Sequence, residues 1–200
     1  MAIICPEKVN EEKIIGQVHN KVLITQDFKD PRTGEIIPWG MLKGLKLSSI
    51  ILPLTIDYKV IAIRQFRYGA NQVVLELPGG NIEGDQTSQD AAQSELLQET
   101  GYVAEKIIPL SSSGIIAEPS CLQGAAYFGF LGLNCVWKQK PKLDDSEDIE
   151  VVTMDLDEWI WMMYNIPNKV NGMLALTFLA LPHLGLFSPG EPKPTWQNVS

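Results

Sequence analysis

The sequence predicts an α/β (α+β) fold built as one globular domain. Three observations carry that prediction. Short runs of β-branched and aromatic residues, punctuated by turn residues, fill the stretch from residue 21 to residue 77. A run of good helix formers follows the glycine turn LPGG, and strand-like runs return beyond it before two more helical segments. A composition of 45% hydrophobic and 20% charged residues supplies a core for a single domain without cross-links.

The elements follow in order. KVLITQDF, DPRTG and EIIPWGML read as strand, turn and strand, and residues 1–45 are expected to form an N-terminal β arm. Residues 48–56 and 59–68 flank Asp57-Tyr58. The second run alternates Val60, Ala62 and Arg64 against Ile61, Ile63 and Gln65, so a central β-hairpin is expected. Residues 87–100 (TSQDAAQSELLQET) predict a helix, with Thr87 as N-cap, Asp90 three residues on and Gly101 as the C-terminal stop. Residues 103–116 and 125–133 predict further strands. The acidic loop LDDSEDIE leads to Val151-Val152, and Asp155 with Glu158 predicts a capping pair for a helix holding Trp159, Ile160, Met162 and Met163. A third helix is expected over residues 168–181, stopped by Pro182, with Met173, Leu176 and Leu179 packed in the core. Residues 46–187 form the main domain, and the proline-bearing tail, 188–200, is expected to be extended or flexible.

A formal net charge of -8 and the lack of any Lys/Arg cluster exclude a nucleic-acid backbone or an anionic membrane as partner, since both demand positive potential. An anionic small molecule would need a metal ion or a few Arg side chains. Cys5, Cys121 and Cys135 are widely spaced, without CxxC pairs, and read as reduced thiols. MAIICPEKVNEEK has no basic start and too short an apolar run for a signal peptide, and the longest apolar stretch, 173–181, is about half a membrane span. A cytoplasmic protein is expected. His19 and His183 carry no ligand or nucleophile pattern, and the serines at 111–113 lack the GxSxG elbow. Trp159 and Trp161 are expected to pack their helix, while Trp39 and Tyr68 are open to core packing or to purine stacking.

Glu95 and Glu99 stand four residues apart on the expected helix, which projects both carboxylates from one face, roughly 5–6 Å apart at Cβ. Without a cation they repel. Before them, Leu77-Pro78-Gly79-Gly80 lets the backbone turn sharply and brings a bare carbonyl near whatever the carboxylates hold. Such a set suits a hard cation, Mg²⁺ or Mn²⁺. Two glutamates at this spacing are commonly just a solvated helix face, so the wider pattern decides. Gly80, five residues, Gln86, seven residues and then SELLQETGY resemble the Nudix box, written G, five residues, E, seven residues, REUxEExGU with U apolar. Gly80, Glu95, Leu96, Glu99, Gly101 and Tyr102 match without a gap, and Glu83 and Ala91-Ala92 stand where many members have them. Gln86, Ser94 and Gln98 depart from it.

The resemblance implies a Nudix-type α/β/α sandwich with a mixed β-sheet. In the family the residues at the places of Gln86 and Ser94 are a glutamate and an arginine that hold loop against helix. Both are neutral here, so the pair is replaced as a unit, which avoids a lone buried charge. Gln98 stands where a family glutamate commonly helps bind metal, and weaker metal affinity is expected. Carried over by position, the metal ligands are Glu95, Glu99 and the carbonyl of Gly79. RQFRYG, SEDIEVV and the closing helices resemble the ADP-ribose pyrophosphatase branch, over about residues 20–185. Arg67 takes the place of a phosphate-contacting arginine, a role suited to bidentate guanidinium chemistry, the alternative being an exposed strand arginine. Glu147 falls where the branch supplies a catalytic carboxylate. Asp145 is the other candidate, and a merely solvated acidic loop is the alternative. Glu118-Pro119-Ser120 resembles the branch's proline-bearing segment but lacks the glycine often found there. The implied activity is Mg²⁺- or Mn²⁺-dependent hydrolysis of the diphosphate bond of ADP-ribose or a similar nucleoside diphosphate derivative. A catalytically weak domain that binds or senses a nucleotide is the alternative, and a docking scaffold a third reading. The branch uses its N-terminal arm in a subunit interface, so a homodimer is expected.

Overall fold

The computed structural model describes residues 4–19, 21–43, 46–116, 120–144, 147–169 and 174–188. The arm is a three-stranded antiparallel sheet of β1 (Glu7–Val18), β2 (Lys21–Lys29) and β3 (Ile36–Lys43). Its β2–β3 turn forms because the Asp30 carboxylate accepts the Arg32 N–H at 2.8 Å and Gly34 takes φ 75°, a left-handed value that favours glycine. β1 is rich in charge and nearly all exposed, so no apolar alternation marks it in the sequence.

The main domain continues with β4 (Ser48–Pro53), β5 (Lys59–Arg67), β6 (Gln72–Glu76), β7 (Gly79–Asn81), α1 (Ser88–Glu95), β8 (Tyr102–Val103), β9 (Lys106–Pro109), β10 (Ile115–Ile116), β11 (Ala126–Leu133), β12 (Val136–Trp137), β13 (Ile149–Asp155), α2 (Leu156–Asn165) and α3 (Leu174–Ala180). One sheet runs β10-β11-β4-β7, with β9 also on β11, and a second runs β13-β5-β6. The first is mixed, since β11 pairs with β4 in parallel and the other pairs are antiparallel. The expected central hairpin is present only at its tip. Leu54 and Val60 form one bridge around Asp57-Tyr58, Tyr58 taking φ 59°, and the strands then part into different sheets. Each strand is buried over much of its length, and each satisfies its backbone with other neighbours. The expected long strand over 103–116 is three short ones, broken at residues 104–105 and again after Pro109, where the serines follow.

Alternation along the strands builds the layers. Ile51, Ile61 and Phe130 point to one face and pack with Ala92 and Leu96, from α1 and the turn that follows it. Their neighbours Leu52, Val60, Ala62 and Leu131 point to the other, against Trp159 and Met163 of α2 and Leu176 and Ala180 of α3. The result is the expected α/β/α sandwich. Gly129 admits α3 closely, because a Cβ there would lie 1.9 Å from Leu176 Cδ1. Buried Trp159 donates its indole N–H to Thr177 Oγ1 at 3.0 Å and so ties α2 to α3, whereas Trp161 is exposed rather than packed.

Thr87 caps α1 as expected, its hydroxyl accepting the Asp90 N–H at 3.1 Å. The expected single helix changes at its end: Leu96–Thr100 is a π turn, closed by Gly101 at φ 78°. Asp155 starts α2 without capping it through its side chain, because its carboxylate pairs with Lys59 Nζ at 3.0 Å. The third helix is shorter than expected. A 3₁₀ turn, Pro167–Lys169, precedes it, and residues 170–173, with Met173, lie outside the described residues, as do tail residues 189–200. No described helix is long and apolar enough to cross a membrane.

Candidate active site

β6 ends at Glu76, the chain turns through Leu77-Pro78, and β7 carries Gly79 and Gly80 along β4. The two glycines have different reasons. A Cβ on Gly79 would lie 2.4 Å from the carbonyl oxygen of Ser49, whereas one on Gly80 would lie 2.3 Å from Glu95 Oε1. Gly79 therefore lets two backbones meet, and Gly80 makes room for a carboxylate. Glu99, on the π turn, reaches the neighbouring glycine, its Oε2 accepting the N–H of Gly79 at 2.9 Å. Glu95 and Glu99 thus both close on Gly79-Gly80, as expected. The structure engages Gly79 through its N–H.

Both carboxyls are held well above their ordinary range. Burial pushes Glu95 up to about 7, with Glu147, Asp144 and Glu83 adding repulsion. Burial pushes Glu99 up to about 8, against the lowering effect of the Gly79 N–H, and Glu95 and Glu147 raise it further. Near neutrality Glu99 is largely protonated and Glu95 about half so, because burial disfavours the charged form. A cation at this place would displace those protons.

Gly101 brings the acidic loop to the pair. Its carbonyl accepts the N–H groups of Lys138 and Gln139 at 2.8 and 3.3 Å, and the Gln98 carbonyl accepts that of Lys142 at 2.7 Å. A Cβ on Gly101 would meet the Gln139 carbonyl at 1.9 Å. Further on, Asp144 and Glu147 form a reciprocal turn: the Glu147 N–H donates to the Asp144 carbonyl at 2.9 Å, and the Asp144 N–H to Glu147 Oε2 at 3.1 Å. Glu147, Glu99, Gly79, Gly80 and Arg67 line one cavity of about 340 Å³. Asp145 and Glu118-Pro119 lie outside the described residues.

The sequence reading missed Glu76. It is buried, with 2% exposed, and Arg67 Nε donates to its two carboxylate oxygens at 2.9 and 2.8 Å while Nη2 donates as well. That pairing raises the guanidinium further above its ordinary value. A glutamate at the end of an apolar strand needs a cation, and this was the available signal. Gln65, Ser48 and Asn81 also line the cavity. Trp39 and Tyr68 are exposed, so core packing does not account for them. Trp39 donates to the Ser120 carbonyl at 2.6 Å and lines a separate cavity of about 380 Å³ with Phe28, Ile37 and Met41.

The sequence pattern described as the NUDIX domain matches residues 44–171, well over half of the chain. The chain belongs to the Nudix family. It is 27% identical over 108 residues to the ADP-ribose pyrophosphatase of Bacillus subtilis (strain 168), a match covering 54% of this chain and 57% of that protein. It is 28% identical over 159 residues to the ADP-sugar pyrophosphatase of Mus musculus, covering 73% and 72%. The chain spans about half the length of the curated relatives that match it first. Its fold is similar to the crystal structure of an ADP compounds hydrolase, with a TM-score of 0.79 over 94% of this chain and 100% of that one at 17% identity.

The departures from the Nudix box take their places in this geometry. Gln86 Oε1 accepts the Glu83 N–H at 3.3 Å within its own loop. Glu83 is held at the surface by Lys46 Nζ, at 2.6 and 2.7 Å. The Gln98 side chain is exposed and is not among the residues that line the cavity. Among the described residues no group of three His, Cys, Asp or Glu side chains could hold a metal ion by itself. One buried and one half-buried carboxylate beside a glycine turn fit Mg²⁺ better than a cation that needs a protein cage, since Mg²⁺ is usually bound through one or two carboxylates together with substrate phosphates.

Proposed function

We propose that this Nudix domain hydrolyses the diphosphate bond of ADP-ribose or a similar nucleoside diphosphate derivative, with Mg²⁺ or Mn²⁺ as cofactor. The observation that carries this reading is the meeting of Glu95 and Glu99 at Gly79-Gly80, beside a cavity that Glu147 and Arg67 also line. The names of two relatives, which act on ADP-ribose and ADP-sugars, support the substrate class.

Glu95, Glu99 and the carbonyl of Gly79 would hold the metal ion, which supplies Lewis acidity that lowers the pKa of a water and neutralises charge on the phosphoryl oxygens. Glu147 accepts the proton of the attacking water. Arg67 binds the phosphate that does not react, with Glu76 fixing the Nε edge of its guanidinium. One water oxygen–phosphorus bond forms and one bridging phosphorus–oxygen bond breaks, so ADP-ribose yields AMP and ribose 5-phosphate. The non-catalytic reading rested on a metal site weakened at Gln98; the exposed position of that side chain, outside the cavity lining, speaks for the catalytic reading.

Incubation of the purified chain with ADP-ribose and a panel of nucleoside diphosphate derivatives, in Mg²⁺, Mn²⁺ or EDTA, tests the reading by released AMP. Metal-dependent release is expected. Binding without release under any condition would return the protein to the sensor class. The reading keeps residues 46–187 as the catalytic domain and residues 1–45 as an arm pairing two copies. It also keeps a cytoplasmic setting, with which three free cysteines are compatible.

A further inference from the structure

Ser49 is fully buried, at 0% exposed, and its hydroxyl has no hydrogen-bond partner among the described residues. Buried hydroxyls are nearly always bonded, so an orphan calls for an explanation. Its position offers one. Ser49 is the cross-strand partner of Gly80 in the antiparallel β4–β7 pair. Side chains of such a pair stand on the same face, roughly 4.5–5.5 Å apart at Cβ. The space where the Gly80 side chain would stand is filled by the Glu95 carboxylate, 2.3 Å from the ideal Cβ at Oε1 and 2.9 Å at Oε2. The face is set independently by Ile51, two residues along β4, which packs in the cluster containing Ala92 and Leu96 around α1. The orphan hydroxyl and the Glu95 carboxylate therefore flank one glycine on one side of one sheet.

We propose that Ser49 is a positioning residue for the metal site: its hydroxyl, unbonded in this structure, turns to donate to the Glu95 carboxylate once that group is ionised and holds it in the orientation that binds a divalent cation. This rests on the reading of Glu95 as a metal ligand. Partners of this kind orient ligating carboxylates, and their loss typically weakens metal binding about 10–100-fold. A serine kept only because it is small would be replaced by alanine without effect on the metal.

The test titrates the 200-residue chain with Mn²⁺ alone, reading free Mn²⁺ by electron paramagnetic resonance, beside melting midpoints in EDTA. Ser49→Ala is expected to keep or raise the midpoint, because it removes an unsatisfied buried hydroxyl, while Mn²⁺ binds about tenfold more weakly. Ser49→Cys, which keeps the shape with a weaker donor, is expected to lose affinity in the same direction and serves in place of the alanine variant should that not fold. Wild-type Mn²⁺ affinity in a folded variant overturns the role of Ser49 and leaves the metal site intact. A lowered midpoint that accounts for the weaker binding makes Ser49 a packing residue and equally overturns it. Failure of the wild-type chain to bind Mn²⁺ removes the metal reading itself.

Discussion

Glu95 and Glu99 hold protons in the folded chain at pH values where an unfolded chain would have released them, because burial disfavours their charged forms. Their contribution to stability is therefore fully present below the ordinary value of 4.5 and is lost as the pH rises through about 7 and about 8. In EDTA the melting midpoint should fall between mildly acidic and mildly alkaline pH. Mg²⁺ should flatten that fall and bind more tightly as the pH rises. A midpoint in EDTA that does not vary across this window would show that the two carboxyls are solvated in solution. Glu99→Gln keeps an oxygen for the Gly79 N–H, so the fold should survive while metal-dependent turnover drops by about a hundredfold or more, beyond the usual loss for an outer partner. Gln98→Glu should change the Mg²⁺ requirement little, contrary to what the Nudix box alone implies, because Gln98 is exposed. A large gain from Gln98→Glu would mean that the turn rearranges when metal binds. The carboxylates and glycines of this site were legible because motif spacing places them. Ser49 was not, since its significance is burial, which no local pattern records, and Glu76 carried only the signal of a charge closing an apolar strand.

The helix carrying the carboxylates shows what an element-level signal can resolve. Thr87 and Gly101 marked its ends, because a capping hydroxyl and a left-handed stop are local chemistry. The change from α to π at Leu96 had no such mark. Likewise the alternation of residues 59–67 revealed two buried faces and left open which strands would pair, so β4 and β5 read as a hairpin although they part into two sheets. Gly101 joins helix and loop, and this yields a contrast between two single substitutions. Gly101→Ala forces a Cβ against the Gln139 carbonyl at φ 78°, so it should cost about 1–3 kcal/mol. It should also release the loop bearing Glu147, seen as faster amide exchange over residues 138–147 and a lower kcat. Thr87→Ala, at the far end of the helix, should cost about 1 kcal/mol and leave turnover at wild-type level. Equal losses of turnover in the two variants, measured in urea-free buffer beside urea melts, would deny the loop its separate role.

At the scale of the whole molecule, the sandwich is closed and the arm is open. Within the sandwich, residues 51 and 52, 60 and 61, and 130 and 131 divide between the two helical layers; the fold class was readable from the succession of strand-like and helical runs, and the sandwich from the resemblance to the Nudix box. The arm shares little with that core. Leu42 bridges Leu122, Trp39 donates to Ser120, and Gln123 Nε2 reaches Glu12 at 3.3 Å. Ile14, Ile15 and Val18 of β1 are 66%, 60% and 69% exposed, and Ile36 of β3 is 56% exposed. Among the described strands β1 pairs with β2 alone, so its other edge also presents backbone groups without a described strand partner. A long, partly apolar edge of this kind is a template for association, and a two-fold pairing satisfies it without leading to open growth. The chain is therefore expected to be a dimer at micromolar concentration, with twice the chain mass by light scattering. Replacing Ile14 and Ile15 together by lysine puts charge on that edge and should yield a folded monomer whose sandwich melts at an unchanged urea concentration. A wild-type chain that scatters as a monomer, or a double variant that remains dimeric, would exclude the arm as the interface.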